Sequence, residues 1–364
     1  MLISLYLRNY RNHRELYLEF NKHVNNIYGP NALGKSNILE ALYLLICGKS
    51  YRGHPLKQLV SFDEKSFHLK ARFLKNGFEQ TLSIQSNGKE RKIYFNDSPY
   101  TSFTQILGNM QGVLFHPQDA ELVSGPPKLR RQYLDIQLAQ VDPLYVYYLG
   151  RYQKALHARN CLLKQKRMES MEVWEDQMAL SAAYLLEKRI ELVDSITEHL
   201  LKIQSFLSIE RDQLSIHYKS STNNEVSKQA YLNQLRKLRQ RELVLGYSLS
   251  GPHREDFDLL HAGNPARLCA SEGQKISTAL ALRLAEWEEL KIRSGQDPIM
   301  AVDDFGKSLD TIRRQSLSRH LSDLGQSFVT STERIEHPST DFIDLFQILS
   351  KQQSLQIGSY SALH

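Results

Sequence analysis

The sequence of 364 residues is poor in cysteine and contains no long apolar run. Only Cys47, Cys161 and Cys269 occur, far apart and odd in number, so no disulfide framework or zinc cluster of familiar spacing can be built from them. The longest apolar run, Ala41–Cys47, is too short to cross a bilayer. The first eight residues alternate like a strand and lack the pattern of a signal peptide. These absences predict a chain without a membrane segment, located in the cytoplasm.

The excess of positive charge is small. Lys and Arg number 46 against 40 Asp and Glu, a formal net charge of +6. The hydrophobic share of 41% and the charged share of 24% are ordinary for a globular protein. This balance favours a polyanionic partner such as nucleic acid without requiring one. Internal repeats, heptad runs and low-complexity segments are also missing from the sequence.

The chain divides into stretches of different character. Residues 1–110 alternate like strands, with a turn signal at Asn76-Gly77, whereas Asn37–Cys47 has apolar residues at helical spacing. Residues 128–204 are helix-rich, and a further basic helix is predicted near 229–241. Short strand-like patterns then return. The predicted organisation is an α/β nucleotide lobe, a basic helical insertion lobe and a tail, with the boundaries 1–110 plus 246–352, 111–245, and 353–364.

One motif carries clear chemistry. The segment Gly29–Ser36 fits G-x-x-x-x-G-K-S, with the apolar Val24–Tyr28 before it and a helical pattern after it. Gly34 lets the backbone curl so that N–H groups point at phosphate oxygens. Lys35 is expected to reach the β and γ phosphates of ATP, and the Ser36 hydroxyl to ligate Mg²⁺. The predicted nucleotide-binding residues are Gly29, Pro30, Asn31, Ala32, Leu33, Gly34, Lys35 and Ser36.

A phosphate loop needs an acidic partner for the metal. The apolar strand Ile299–Val302 runs directly into Asp303 and Asp304. Asp303 is predicted to hold Mg²⁺, directly or through water, and Asp304 to polarise the attacking water. Asp304 is shorter than the glutamate usual at this place, so the sequence does not predict the rate of ATP turnover.

Further motifs resemble those of ABC-type ATPases. Ser271-Glu-Gly-Gln274 resembles the signature motif, the segment after Asp303 resembles a Walker B motif followed by a D-loop, and Phe328–Thr332 resembles the switch strand. The resemblance implies that the signature of one subunit caps the γ-phosphate bound to another. The residues that it assigns to this contact between subunits are Ser271, Gly273, Gln274 and Asp310.

Four longer strings narrow the resemblance. They are Leu5–Asn12, Val113–Asp119, Leu122–Asp135 and Ser250–Asp256, and together they make the chain similar to the RecF family of SMC/ABC-type P-loop ATPases from residue 1 to about 350. The fold that this implies is α/β: an ABC-type P-loop ATPase head, with mixed sheet and helices, and an inserted helix-rich second lobe.

The same resemblance implies a function. Family members bind DNA in an ATP-dependent way, and the implied role is repair of replication gaps by a homodimer that closes on ATP. The implied partners are single-stranded, double-stranded and gapped DNA. The resemblance also implies that the protein works with RecR and RecO to help load RecA. Gln118 is the candidate for the glutamine that senses Mg²⁺, and Gln111 competes with it. Ala32, Glu272 and Ser308 depart from the usual pattern and bear on hydrolysis and dimer strength.

The helical insertion is locally basic. Residues 128–167 hold nine Lys or Arg against two Asp, a local charge of +7. Alone, such a run is more often a solvated face, but the resemblance favours contacts to DNA phosphates. The tyrosines among them are expected to pack in the core rather than stack on bases. The candidate DNA-contacting residues are Arg130, Arg131, Arg151, Lys154 and Arg159.

Two other functions are weighed against this one. An ABC transporter ATPase would carry a complete Leu-Ser-Gly-Gly-Gln signature, whereas this chain has Ala270-Ser-Glu-Gly-Gln274 and a longer basic insertion. The second alternative is an ATP-gated DNA scaffold that hydrolyses almost no ATP because Asp304 is too short to act. The sequence does not distinguish this scaffold from a weak DNA-stimulated ATPase.

Overall fold

The computed structural model describes residues 1–207, 214–305, 311–321, 323–335 and 339–351. Contacts divide the chain into two compact units. The first unit comprises residues 1–119 and the described residues from 290 onward, and the second unit comprises residues 120–289. The helix predicted over 37–47, the helix-rich stretch 128–204, the basic helix near 229–241 and the strands Val24–Tyr28 and Ile299–Val302 are confirmed, with shifts of up to four residues at the helix ends.

The strands of the described residues are numbered in chain order. They are β1 Leu2–Tyr10, β2 His13–Glu19, β3 Val24–Tyr28, β4 Phe67–Lys75, β5 Phe78–Ser86, β6 Arg91–Phe95, β7 Ser98–Tyr100, β8 Gly112–Phe115, β9 Leu214–Lys219, β10 Asp256–His261, β11 Asn264–Pro265, β12 Ile299–Val302, β13 Ser327–Ser331 and β14 Thr340–Asp344.

The α-helices are numbered in the same way. They are α1 Lys35–Cys47, α2 Glu121–Ser124, α3 Pro127–Val141, α4 Pro143–Lys164, α5 Met171–Phe206, α6 Lys228–Leu245, α7 Ala266–Cys269, α8 Glu272–Ser294 and α9 Thr311–His320. Residues 345–351 are also helical.

Two sheets build the first unit. One has six antiparallel strands in the order β2-β1-β4-β5-β6-β7, and the other has five parallel strands in the order β14-β3-β13-β12-β8. The predicted turn at Asn76-Gly77 joins β4 to β5, and both residues have positive φ, 52° and 79°. Two positive φ values match the twist of a two-residue hairpin, which explains the Asn-Gly pair.

Helix α1 lies in the apolar core shared by these two sheets. The core contains Ile38, Leu42 and Ile46 of this helix, together with β1 and β4 residues of one sheet and β12 and β13 residues of the other. The helix is therefore buried on nearly all sides, which explains why its sequence is an almost unbroken apolar run. It ends at Gly48, whose φ of 71° is the left-handed conformation typical of a helix C-terminus.

The second unit consists mainly of helices, with a three-stranded sheet in the order β11-β10-β9. Buried ion pairs connect its helices. Arg159 of α4 is fully buried and donates to Glu175 of α5 at 2.9 Å, to Glu242 of α6 at 2.7 Å and to the hydroxyl of Ser248 at 2.8 Å. Buried charges persist only when they are paired and hydrogen-bonded, and this arginine meets both conditions.

The string Ser250–Asp256 has a structural explanation within the second unit. Gly251 has a φ of 124°, and a Cβ there would lie 2.3 Å from the hydroxyl of Tyr152. His253 lies 2.6 Å from that same hydroxyl through Nδ1, and burial lowers its pKa to about 4. The ring is therefore neutral near pH 7. The glycine and the histidine are thus needed for close packing.

The observed boundaries differ from the predicted ones. β8 belongs to the parallel sheet of the first unit because it pairs with β12, and β10 belongs to the second unit because it pairs with β9. Residues 246–289 therefore group with the helical insertion rather than with the nucleotide lobe. The sequence shows that a segment is a strand but does not show which strand pairs with it. The predicted tail, 353–364, lies outside the described residues.

Among the described residues, no helix is both long and apolar enough to cross a bilayer.

Replacing Arg159 with Met is expected to lower the free energy of unfolding by about 3 kcal/mol, because Glu242 would be left as a buried carboxylate without its guanidinium. Urea denaturation followed by circular dichroism measures this change. Lys154→Ala, an exposed position on the same helix, serves as the control and should change stability by only about 0.5 kcal/mol. Equal stabilities of the two variants would show that the buried network does not support the second unit.

Candidate nucleotide site

The parallel sheet brings the predicted site residues to one edge. The phosphate loop follows β3, Asp303 and Asp304 follow β12, and β13 lies between these two strands. Because all strands run the same way, their carboxyl ends lie at the same edge of the sheet. The loop and the acidic pair, 267 residues or more apart in sequence, therefore lie at the same edge of the sheet.

The backbone of the phosphate loop requires glycine at Gly34. Its φ is 92°, and a Cβ would lie 2.3 Å from Oδ1 of Asn12 and 2.6 Å from Nε2 of His13. The His13 ring lies 3.1 Å from the carbonyl of Gly34, and burial lowers its pKa. Ala32 has a φ of 66°. The loop therefore holds an alanine in the left-handed conformation, which is sterically unfavourable for a residue with a Cβ.

Lys35 is held within the loop. Its side chain is buried, and the ammonium donates to the carbonyls of Gly29 at 2.6 Å and of Pro30 at 2.8 Å. These contacts keep a positive charge beside the curl of backbone N–H groups, the arrangement that binds polyphosphates. Ser36, the next residue, is half-buried in the first turn of α1.

The Asp303 carboxylate is buried and held by two hydroxyl groups. Thr330 of β13 donates to Oδ1 at 2.7 Å, and Tyr51 donates to Oδ2 at 2.9 Å. Burial raises the pKa of Tyr51, so its phenol keeps the proton that it donates. A carboxylate has about four lone-pair sites, so two acceptor positions are left beyond these bonds. An oxygen-only donor set of Asp303, Ser36 and phosphate suits Mg²⁺.

Asp304 has a strained backbone. Its φ is 54°, and its N–H donates to the Thr330 hydroxyl at 2.9 Å, so this hydroxyl links both acidic residues. The Asp304 side chain is half-buried. The chain therefore turns directly after β12, where Asp304 follows the buried Asp303.

A charged cluster around Glu40 lies beside the phosphate loop and was not predicted from the sequence. This fully buried residue of α1 accepts from Arg11 at 2.8 Å through both carboxylate oxygens and from the Ser50 hydroxyl. Arg52 lies 3.7 Å away and also donates to Asn37 at 2.8 Å. The available signal was a single acidic residue inside the apolar stretch of a helix. The cluster ties the segment after α1 to the helix that begins at the phosphate loop.

The two candidate glutamines lie at opposite edges of the sheet. Gln118 follows β8 at the carboxyl edge, where its Oε1 lies 3.0 Å from Nδ1 of His116. Gln111 precedes β8, and its carbonyl accepts from the first residue of β12. Only Gln118 therefore shares the edge with the phosphate loop.

The signature segment begins α8 in the second unit. Ser271 and Gln274 form a reciprocal cap: the serine N–H donates to Oε1 at 2.9 Å, and the glutamine N–H donates to Oγ at 3.3 Å. Ser271, Glu272 and Gly273 are exposed. Glu272 pairs with Lys275 at 2.6 Å, so its departure from the usual pattern is partly neutralised one turn later. Asp310 and Ser308 lie outside the described residues.

Two predicted DNA contacts are corrected by the structure. Arg130 is buried and forms a bidentate pair with Asp256 at 2.8 and 2.9 Å, and Arg159 is the buried arginine of the α4–α5–α6 network. Neither guanidinium can reach a DNA phosphate while it is enclosed in this way. Both were chosen for their charge, which a sequence displays, rather than for their exposure, which it does not.

The other three predicted contacts are more accessible. Lys154 is exposed, whereas Arg131 and Arg151 are half-buried. Arg131 donates to the carbonyl of Glu255, and Arg151 donates to the hydroxyl of Tyr147. Of the neighbouring tyrosines, 145 and 152 are core residues as expected, whereas Tyr147 is exposed.

Comparisons with known proteins identify the family. Residues 1–353 match the family described as RecF/RecN/SMC N terminal domain. The DNA replication and repair protein RecF of Protochlamydia amoebophila (strain UWE25) is 44% identical over 337 residues, which cover 91% of this chain and 94% of that protein. The chain belongs to the RecF family.

Solved structures support the same fold. The structure described as the recombination mediator protein RecF-ATP in the RecFOR pathway has a TM-score of 0.84 and 32% identity, covering 94% of this chain and 95% of that chain. An Smc head domain derived from Pyrococcus furiosus has a TM-score of 0.51 at 16% identity, covering 92% and 89%, and this likeness shows the fold alone. The predicted fold class, an ABC-type P-loop ATPase head, is confirmed.

Replacing Ala32 with Gly should raise the free energy of unfolding by about 1 kcal/mol, because glycine adopts the left-handed conformation without the Cβ penalty. Denaturation of the nucleotide-free protein measures the effect. Ala41→Gly within α1 is the control, and it should lower stability by about 1 kcal/mol or more. A loss of stability in the Ala32 variant would contradict the strained geometry of the loop.

Proposed function

We propose that this chain is an ATP-switched DNA-binding protein of replication and repair, in which two subunits enclose two ATP molecules and clamp DNA. The observation that carries the proposal is that one chain contains two half-sites of different kinds. The phosphate loop, Asp303 and Asp304 lie at one sheet edge, whereas Ser271 and Gly273 are exposed at the start of a 23-residue helix.

The two half-sites are chemically complementary. Lys35, Ser36 and the loop N–H groups suit the β and γ phosphates, with Mg²⁺ between Ser36 and Asp303. The N-terminus of α8 offers the positive end of a helix dipole and the exposed residues Ser271 and Gly273 to a further phosphate oxygen. We infer that this second half-site, with Asp310, serves the ATP of a second subunit.

The names of the relatives support the biological setting. Proteins similar over most of the chain are called DNA replication and repair protein RecF, and the related solved structure is described as RecF-ATP in the RecFOR pathway. We therefore propose a role in repair of replication gaps in the cytoplasm, with RecR and RecO as partners in loading RecA.

The residues proposed to contact DNA are chosen again by the exposure of their side chains. Five cations of α4 and α6 are exposed, and they replace the buried Arg130 and Arg159 as candidates for phosphate contacts. They are Lys154, Lys164, Arg236, Lys237 and Arg241. Contacts of this kind position DNA without reading its sequence.

Replacing Lys35 with Ala is expected to abolish ATP binding, because the loop loses the cation that reaches the phosphates. Binding of a fluorescent ATP analogue, read by anisotropy, tests this, and Lys22→Ala, an exposed lysine of the same unit, is the control. Unchanged affinity in the Lys35 variant would remove the phosphate-loop assignment.

Asp304→Asn should leave ATP binding intact but slow phosphate release and trap a dimer on DNA, because the amide cannot polarise water as a carboxylate does. Phosphate release and light scattering with ATP, ADP and no nucleotide measure both effects. If the unsubstituted protein releases no phosphate above background, the ATP-gated scaffold is the better description. A variant that stays monomeric with ATP would contradict the clamp.

Arg241→Ala and Lys154→Ala should each weaken DNA binding similarly for all sequences and reduce the slope of log affinity against log salt by about 1. DNA anisotropy at several salt concentrations in the presence of ATP measures the slope. Lys65→Ala, an exposed lysine of the first unit, is the control. A slope unchanged from that control would place the DNA elsewhere on the protein.

A further inference from the structure

Tyr51 contacts two parts of the candidate nucleotide site, the Asp303 carboxylate and the segment that carries Gln118. It follows α1 by four residues, outside every motif found in the sequence. Its hydroxyl donates to Asp303 Oδ2 at 2.9 Å, and its ring lies against the ring of His116, with centroids 4.8 Å apart. His116 in turn lies 3.0 Å from Oε1 of Gln118. One side chain thus links the metal carboxylate to the candidate Mg²⁺-sensing glutamine.

The segment that carries Tyr51 is fixed on its other side. The Ser50 hydroxyl donates to the buried Glu40, and the Arg52 guanidinium lies 3.7 Å from the same carboxylate. The ring of Tyr51 also meets Tyr43 of α1 edge to face, with centroids 6.0 Å apart. Both neighbours in sequence and the ring itself are therefore held to α1, so the hydroxyl has little freedom to leave Asp303.

The opposite oxygen of Asp303 is held by a different element. Thr330 of β13 donates to Oδ1 at 2.7 Å, and the Asp303 N–H donates to the carbonyl of Phe115 at 2.8 Å. With Tyr51 on Oδ2, both carboxylate oxygens are fixed and the side chain has one orientation. A single oxygen bond would leave the carboxylate free to rotate about its last torsion angle.

We propose that Tyr51 is a positioning residue for Mg²⁺ binding, whose hydroxyl orders the Asp303 carboxylate before the metal arrives with ATP. This inference rests on the proposed function. Hydrogen-bond partners of metal ligands orient those ligands, and their loss usually weakens metal binding or activity by about 10- to 100-fold. Tyr51 would act on the metal without touching it, and ATP itself would bind to the phosphate loop independently of the phenol.

The test uses the full chain and Mn²⁺ as a spectroscopic substitute for Mg²⁺. Tyr51→Phe keeps the ring against His116 and removes only the hydroxyl. Mn²⁺ affinity in the presence of a non-hydrolysable ATP analogue, measured by electron paramagnetic resonance, should fall by about tenfold or more. Binding of the same analogue in EDTA should stay unchanged, because it depends on the loop and Lys35.

Tyr17→Phe is the matched control. Tyr17 also donates its hydroxyl to a carboxylate, Glu19, at 2.9 Å, but it lies exposed on β2. Equal Mn²⁺ affinities for the two variants, or tighter binding by Tyr51→Phe, would overturn the inference. So would an equal loss of analogue binding with and without metal, or a large fall in melting temperature, since either would indicate a general structural role. Absence of metal-dependent analogue binding in the unsubstituted protein would instead contradict the proposed function.

Discussion

The burial of α1 between two sheets is the constraint on which the nucleotide site depends. A helix that is enclosed on nearly all sides cannot slide or turn without opening the core of the first unit, because packed interiors tolerate few voids. The phosphate loop ends where this helix begins, so its Gly34–Lys35 step is fixed by the packing of residues one to three turns later. The core thus sets the position of the groups that are proposed to bind phosphate.

Enclosure of α1 also explains why its one acidic residue needs partners. Glu40 is fully buried and would be unstable alone, but Arg11 neutralises it and Ser50 completes its hydrogen bonds. The same carboxylate holds the segment that presents Tyr51 to Asp303. A buried ion pair seldom adds much stability over an apolar pair of similar volume. Its value here lies in fixing the geometry of a segment that has no regular secondary structure.

Much of the site was predictable because its chemistry is local. The phosphate loop, the strand that ends in Asp303 and the signature cap each occupy a short stretch with a defined spacing. The choice between Gln111 and Gln118 was not predictable, because it depends on which end of β8 meets the edge that carries the loop. Tyr51 was missed for a related reason, because it acts through a contact with Asp303, 252 positions away. Thr330 lies in the predicted switch strand, but its contact with Asp303, 27 positions away, was not predicted.

Charge was the least reliable guide, and the second unit shows why. A local charge of +7 over residues 128–167 includes Arg130 and Arg159, whose guanidinium groups are enclosed by carboxylates that come from β10, α5 and α6. The sequence does not distinguish an arginine that faces solvent from one that is buried against a carboxylate. The field that DNA would meet is set by exposed cations, because buried pairs cancel within a few ångströms. Only exposure separates a DNA-binding surface from the internal charge that holds the helices together.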